Sequence, residues 1–212
     1  MSSTSQGAQT PSAAASEFNM LTFMMKQLLS KVSTATLVKV VAVTNSGGVS
    51  PVGFVDLQPV IAQLDGKGEV YRHAVVHGVP YFRLQGGANA VILDPQVGDL
   101  GVAVFADKDI SAAVAAKDGA LQSSRPIVPP GSGRRFDMAD ALYIGGMLNG
   151  TPQQYVQFAA GGISVVSPTK IQLQAPDVEI MSTTLAHNGV NIGSTHKHGG
   201  VAPGGSNTSG PQ

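Results

Sequence analysis

From Ile163 to Ile192 the chain is a series of very short alternating segments: Ile163-Ser164-Val165, Ile171-Gln172-Leu173-Gln174-Ala175, Val178-Glu179-Ile180 and Val190-Asn191-Ile192. Their starts at 163, 171, 178 and, more loosely, 185 recur every seven or eight residues, with Gly, Pro, Ser or Asn at the turns. Alternation of apolar and polar residues is the pattern of a strand with one face buried. Segments this short give a single chain too little material to enclose a core. Three chains wound about one axis can bury the alternate Ile, Val and Leu residues together, each repeat stabilised by its neighbours. The pattern predicts an intertwined trimeric β-helix over residues 151–193.

Charge supports association. Only 12% of the 212 residues are charged, with 13 Lys+Arg against 13 Asp+Glu, whereas about a quarter is ordinary. A surface this poor in charge is expected to be hidden by neighbouring subunits. Zero net charge argues against nucleic acid as a partner, since phosphate recognition needs a basic patch. The one tight basic pair, Arg134-Arg135, is followed by Asp137 and Asp140 and reads as a solvated or paired structural site. With no cysteine, a metal would have to be held by His or oxygen ligands. No apolar run approaches the ~20 residues of a membrane-spanning helix. Residues 1–16 are Ser/Ala/Gln/Thr-rich without Lys or Arg, so no secretory signal is expected and assembly in the cytoplasm is.

Ahead of the repeats the pattern changes three times. Residues 1–16 read as a disordered tail. Phe18, Leu21, Met25, Leu28 and Val32 then recur at spacings of 3, 4, 3 and 4, predicting a helix over 17–34 whose seam packs on its own domain, on its own copies or on a neighbouring protein. Residues 35–120 read as a small Greek-key barrel of the OB type: Leu37–Val43, Val52–Ile61, Val79–Leu84, Ala90–Leu93 and Leu100–Ala106 are β-rich runs with polar turns between. A short helix is expected over Ile110–Lys117. The Pro/Gly-rich stretch 121–150 reads as an extended connector, with Gly145-Gly146 and Gly161-Gly162 as turns.

The chemistry gathers in His196-Lys197-His198, set before a Gly-rich end. On a strand, residues two apart share a side, so His196 and His198 face one way and Lys197 faces water. Three chains meeting on a three-fold axis would converge six imidazoles, enough for one octahedral ion. Imidazole suits Fe, Ni, Cu or Zn, and six nitrogens disfavour zinc, which prefers four. Such a site is coordinatively full and holds structure. Residues 194–212 are thus read as a metal-binding apex, whose glycines let the chain reverse around a crowded axis. His187 reads as a polar turn residue, and His73 and His77 as structural or surface residues.

The string from His187 to Val201, HNGVNIGSTHKHGGV, resembles the tip of the central spike proteins of contractile-tailed bacteriophages. Val97–Gly101 with Phe105–Ile110 is similar to the barrel domain of those proteins, and Arg134–Asp137 with Asp140-Ala141 to the segment that follows it. The resemblance covers roughly residues 35–212. It implies an all-β homotrimer with an OB-fold collar, a three-chain β-helix and an apex holding one iron ion per trimer. It also implies a place in the virion, at the tip of the tail baseplate beneath a hub protein. There the spike would pierce the host outer membrane mechanically as the sheath contracts. The spike of a phage-tail-like bacteriocin or of a related secretion apparatus would have the same physical task. A trimeric receptor-binding module is the alternative of a different class, and the lack of Phe, Tyr or Trp from Ile163 onward weighs against it.

An enzyme is not expected. Cupin-type metal sites need a Glu after the His pair, and no acidic residue follows Glu179. No phosphate-cradling loop with a Lys is present, and no Ser nucleophile has a recognisable setting.

Overall fold

The β-branched run of Leu37–Val43 lies at the centre of the principal sheet, where alternate side chains can all be buried. The structure is a computed structural model that describes residues 16–45, 48–65, 67–116, 127–196, 200 and 204. It divides into two compact units, Met1–Thr151 and Pro152–Gln212.

In the first unit a helix, α1 (Glu17–Leu29), is followed by β1 (Ala35–Val43), β2 (Phe54–Pro59), β3 (Gln63–Leu64), β4 (Val70–Tyr71) and β5 (Val76–Pro80). The small hairpin β6 (Gln85–Gly86) and β7 (Asn89–Ala90) comes next, then β8 (Leu100–Phe105), α2 (Ser111–Ala115), a 3-10 turn at Met138–Asp140 and β9 (Ala141–Gly146). The main sheet has the order β5-β2-β1-β8-β9, and neighbouring strands are antiparallel. Its two end strands meet as well. Tyr81, just beyond β5, forms a parallel bridge with Tyr143 of β9, and the Phe82 N–H donates to the Tyr143 carbonyl at 2.8 Å. The five-stranded sheet therefore closes on itself, which leaves few unpaired backbone groups at its edges.

Strand periodicity sets the core. Val38 and Val40 of β1, Val55 and Leu57 of β2, Ala103 and Phe105 of β8, and Ala141 and Tyr143 of β9 all point inward, each two residues from its companion. The pairing of β1 with β2 slips between Val40 and Ala42, and Val41 is turned out to solvent. Such a slip bends a strand and raises its twist, as a tightly closed sheet requires.

Four expectations need correction. The fifth strand of the sheet, β9, lies inside the stretch read as a connector, so the barrel runs past residue 120 to Gly146. Gly145-Gly146 is accordingly strand, not turn. Gly145 has φ +146°, a value open to glycine, and it pairs at a register shift between Val102 and Ala103. Next to it β8 and β9 approach closely: a Cβ on Gly101 would strike the Gly145 carbonyl and the Tyr143 ring. The helix is shorter than 17–34, ending at Leu29, where Ser30 caps it. Ser16 is the N-cap of α1 and not tail, its hydroxyl accepting from the Asn19 N–H at 3.2 Å. The rest of the tail reading, residues 1–15, lies outside the described residues.

In the second unit, β10 (Tyr155–Ala159) and β11 (Gly162–Val166) form a hairpin with Phe158 opposite Ile163. A smaller hairpin joins β12 (Ala186–His187) and β13 (Val190–Asn191) through Asn188-Gly189. Asn188 and Gly189 have φ of 49° and 79°, the two left-handed residues of a tight hairpin turn. Between the hairpins, residues 167–185 form no strand pairing within the chain. No described residue of this unit is buried. Taken together the described elements are all-β, mostly short strands with two short helices.

Candidate metal centre

Just after β13 the backbone folds into a tight loop that ends at His196. The Ile192 N–H donates to the Leu185 carbonyl at 2.7 Å, which closes the hairpin behind the loop. Asn191 then spans it: its Oδ1 accepts from the Gly193 N–H at 2.9 Å, and its Nδ2 donates to Thr195 Oγ1 at 2.8 Å. The Gly193 carbonyl in turn accepts twice from His196, from the backbone N–H at 3.1 Å and from ring Nδ1 at 2.7 Å. A carbonyl can only accept, so Nδ1 carries the proton. In the neutral ring the basic lone pair is then on Nε2, the tautomer that a ligating histidine adopts when a carbonyl holds its other nitrogen.

His198, the second expected ligand, lies outside the described residues, as does Lys197. Among the described residues no group of three or more His, Asp or Glu side chains could hold a metal. The donor chemistry of His196 fits a borderline metal ion, since its imidazole is oriented and its tautomer fixed. His187 sits on β12, exposed, opposite Val190.

The barrel histidines occupy a different setting. His73 and His77 are four apart, but no helix links them. His73 Nδ1 accepts from Gln63 Nε2 at 3.1 Å, while its carbonyl accepts from Gln58 at 2.9 Å. His77 Nδ1 donates to Asp56 at 2.8 Å across the β2–β5 pair. Asp56 also accepts from the Gly78 N–H at 2.9 Å. That backbone hydrogen bond, followed by the one from His77, holds the Asp56 carboxyl below its ordinary range. His77 lines two open clefts of about 340 and 270 Å³, the first shared with His73 and Met138, the second with Ser111 and Val114. Ser111 is turned elsewhere, its hydroxyl bonded to Asp109. The Asp56–His77 pair thus ties two strands together, and the hydroxyl in the neighbouring cleft is held by a carboxylate.

Two ionic clusters lie in the first unit, one buried and one in which an exposed arginine meets two buried carboxylates. Arg83 and Asp94 form an ion pair at 2.5 Å, and Tyr81 donates to the same Asp94 oxygen at 2.6 Å. Burial, then the Asp94 hydrogen bond, pushes the Tyr81 phenol above its ordinary range. The second cluster joins separate segments: Arg134 reaches Asp140 through Nε at 3.1 Å and Nη2 at 3.0 Å, and Asp109 at 3.0 Å. The basic pair at 134–135 divides accordingly: Arg134 is paired, and Arg135 lies 5.9 Å over the Phe136 ring. Asp109 further accepts from Ser132 at 2.6 Å and from the Ser111 N–H at 2.8 Å. Hydrogen bonds from Ser111 and Ser132 lower its pKa to about 2.

Neither the Arg83–Asp94 pair nor the loop-spanning role of Asn191 was expected. For Asn191 a signal exists: Asn191-x-Gly193-x-Thr195 directly precedes the histidine, and Asn followed two residues later by Gly favours an Asx turn. For Arg83 and Asp94, eleven positions apart across the β6–β7 hairpin, sequence offers none. No helix among the described residues is long and apolar enough to cross a membrane. No protein-family model matches the chain, and no curated protein matches it either.

Proposed function

We propose that this chain is a homotrimeric spike of a contractile tail, driven mechanically through the outer membrane of a host when the sheath contracts. The observation that carries this reading is the second unit, in which no described residue is buried although Ile163, Ile171, Leu173, Val178 and Ile180 recur along it. An isolated segment with so much exposed apolar surface would not hold one conformation in water. Three copies wound together would cover these rows and give a stiff rod.

The closed sheet of the first unit supports an OB-type collar: its first strand sits between the second and the fourth, and its third and fifth are linked in parallel. Such a collar, with α1, would seat the spike on a hub protein at the baseplate. At the other end His196 and His198 of three chains would hold one iron ion. It would cross-link the three ends and oppose the fraying to which termini are prone. When bound, the metal supplies cross-linking and nothing reactive, because six imidazoles leave no open position.

Native mass spectrometry of the tag-free protein tests the reading, since it reports subunit number and bound metal together. The expected result is a trimer with a single iron-mass adduct that disappears in the His196→Ala/His198→Ala variant. A metal-free monomer or dimer would overturn it.

A further inference from the structure

We infer that α1 of one copy packs against the β6–β7 hairpin of the next, so that the first unit carries a subunit contact of its own; the inference rests on the homotrimer proposed above. Two apolar surfaces of this unit lie uncovered in the single chain. Along the hairpin, burial and exposure alternate: Tyr81 and Arg83 are buried, Phe82 and Leu84 exposed, and past the turn Val91 and Leu93 are exposed while Asp94 is buried. The Val91 N–H donates to the Leu84 carbonyl at 2.9 Å, which carries the pairing of Gln85 with Ala90 one step further. Leu84 and Val91 therefore stand opposite each other on one face, with Phe82 and Leu93 next along it. All four are more than half exposed, and together they offer roughly a few hundred Å², the size at which an apolar patch marks an interaction site.

No charge guards this face. A two-stranded hairpin has two open edges, which natural sheets commonly protect with charged side chains. From Phe82 to Asp94 the only charged residues are Arg83 and Asp94, and they pair with each other on the reverse side, almost wholly buried. Arg83 also donates to the Ser50 carbonyl, and the Tyr81 hydroxyl to Asp94. A buried ion pair is a weak source of net stability. Here it fastens both arms of the hairpin to the barrel and holds the outer face in one shape.

The matching element is α1. Phe18, Leu21, Met25 and Leu28 form one row, flanked by Met20 and Met24, so about half of the helix circumference is apolar. Asn19 and Lys26 lie on the other side. This arc is wider than the narrow seam by which α1 would coil with its own copies, and it suits a helix laid on a broad surface. The root of the helix is fixed: the Ser33 N–H donates to the Phe136 carbonyl at 2.8 Å, and the Thr34 carbonyl accepts from the Phe105 N–H at 2.9 Å. Yet α1, held this close to its own barrel, has no buried residue. The hairpin face of a neighbouring copy covers it, and is covered by it. Repeated about a three-fold axis, such a contact between unlike surfaces closes into a ring.

The chain has no cysteine, so introduced thiols report contacts without background. Asn89→Cys lies at the rim of the hairpin face, and Leu21→Cys and Leu28→Cys at two levels of the helix row. Full-length chains with Asn89→Cys are co-expressed with chains carrying one helix cysteine, and the assembly is treated with a short bismaleimide. An affinity tag on one kind of chain lets mass spectrometry tell mixed pairs from like pairs. Mixed pairs are expected with at least one helix position. They should fall to the level of the like pairs when the hairpin chain also carries Leu84→Glu, an exposed change that leaves the barrel folded.

Links between two helix cysteines would overturn the inference, because α1 would then meet α1. A link within one chain that carries both cysteines, without mixed pairs, would overturn it too, since α1 would cover its own hairpin. Mixed pairs that survive Leu84→Glu undiminished would show that α1 does not rest on the apolar face. A trimer by native mass spectrometry that gives no mixed pairs at either helix position would overturn the contact, leave the homotrimer standing and free α1 for another protein. A monomer would remove both.

Discussion

The hydroxyl of Tyr143 is buried with no hydrogen-bond partner among the described residues, while its ring is part of the barrel core. The two halves of this side chain should therefore act in opposite directions on stability. Removing a buried unpaired hydroxyl eliminates a desolvation cost and loses no bond, so Tyr143→Phe is expected to be neutral or stabilising. Burial pushes the phenol above its ordinary pKa, which has the same origin. Tyr143→Ala deletes the ring from a packed site and should cost about 3–5 kcal/mol, in the range of other large aromatic truncations. Urea unfolding of the two variants reads both effects. A clear loss of stability in Tyr143→Phe would mean that the hydroxyl has a partner. At the same scale, His196 was singled out in the sequence because His-x-His is a rare and chemically specific pattern. The loop-spanning role of Asn191 had a signal in Asn191-x-Gly193, but an Asx-turn pattern is ordinary in any turn and did not single it out.

Elements were legible where one physical signal dominated. The β-branched run of β1 and the alternation of β8 needed only period-two burial, and both form strands close to the expected bounds. Misreading came where signals conflicted. Strand β9 carries Gly145-Gly146 and follows a Pro/Gly-rich stretch, so local composition spoke for a connector. The sheet's need for a fifth strand prevailed, because the outer edge of β8, which pairs with β1 on its other side, would otherwise have been left open. What fastens that region is ionic and was only half visible. Arg134 bridges Asp109, next to α2, and Asp140, at the start of β9.

The acid behaviour of this clamp can be worked out in sign. Asp109 has its pKa lowered from 3.8 to about 2 in the folded chain. Its contribution to stability is therefore complete above about pH 4 and is lost as the pH falls toward 2. Asp109→Asn lacks that contribution at every pH. The stability gap between parent and variant should accordingly be widest at neutral pH and should close between about pH 4 and pH 2. Thermal unfolding across this range measures it, and a gap that stays constant down to pH 2 would show that the folded and unfolded carboxyls titrate alike.

At the scale of the whole molecule, the second unit is where sequence and structure make the same demand. Its repeats were read as too short to enclose a core, and the described residues from Pro152 to His196 indeed hold none. Leu173 is 76% exposed in the single chain. The residues directly before and after it, Gln172 and Gln174, belong to the polar row: Lys170 donates to Gln172 at 2.7 Å, which places those two on one face and leaves Ile171 and Leu173 for the other. If the chain worked alone, Leu173→Ser and Gln172→Ser would both be surface changes, each within about 0.5 kcal/mol of the parent. In a three-chain rod they separate. Leu173 would be buried in every copy, and its loss would cost about 1.5–3 kcal/mol per chain, counted three times in the trimer. Gln172→Ser would still be nearly neutral. Because subunits are bound only in the folded state, the unfolding midpoint of the parent should also rise with protein concentration. Sedimentation equilibrium and thermal unfolding at several concentrations give both quantities from the same samples. A trimer that tolerates Leu173→Ser as readily as Gln172→Ser would place the three-fold axis away from this row. A midpoint independent of concentration, with no trimer in the centrifuge, would leave the exposed apolar residues to be covered by something other than a second copy of the chain.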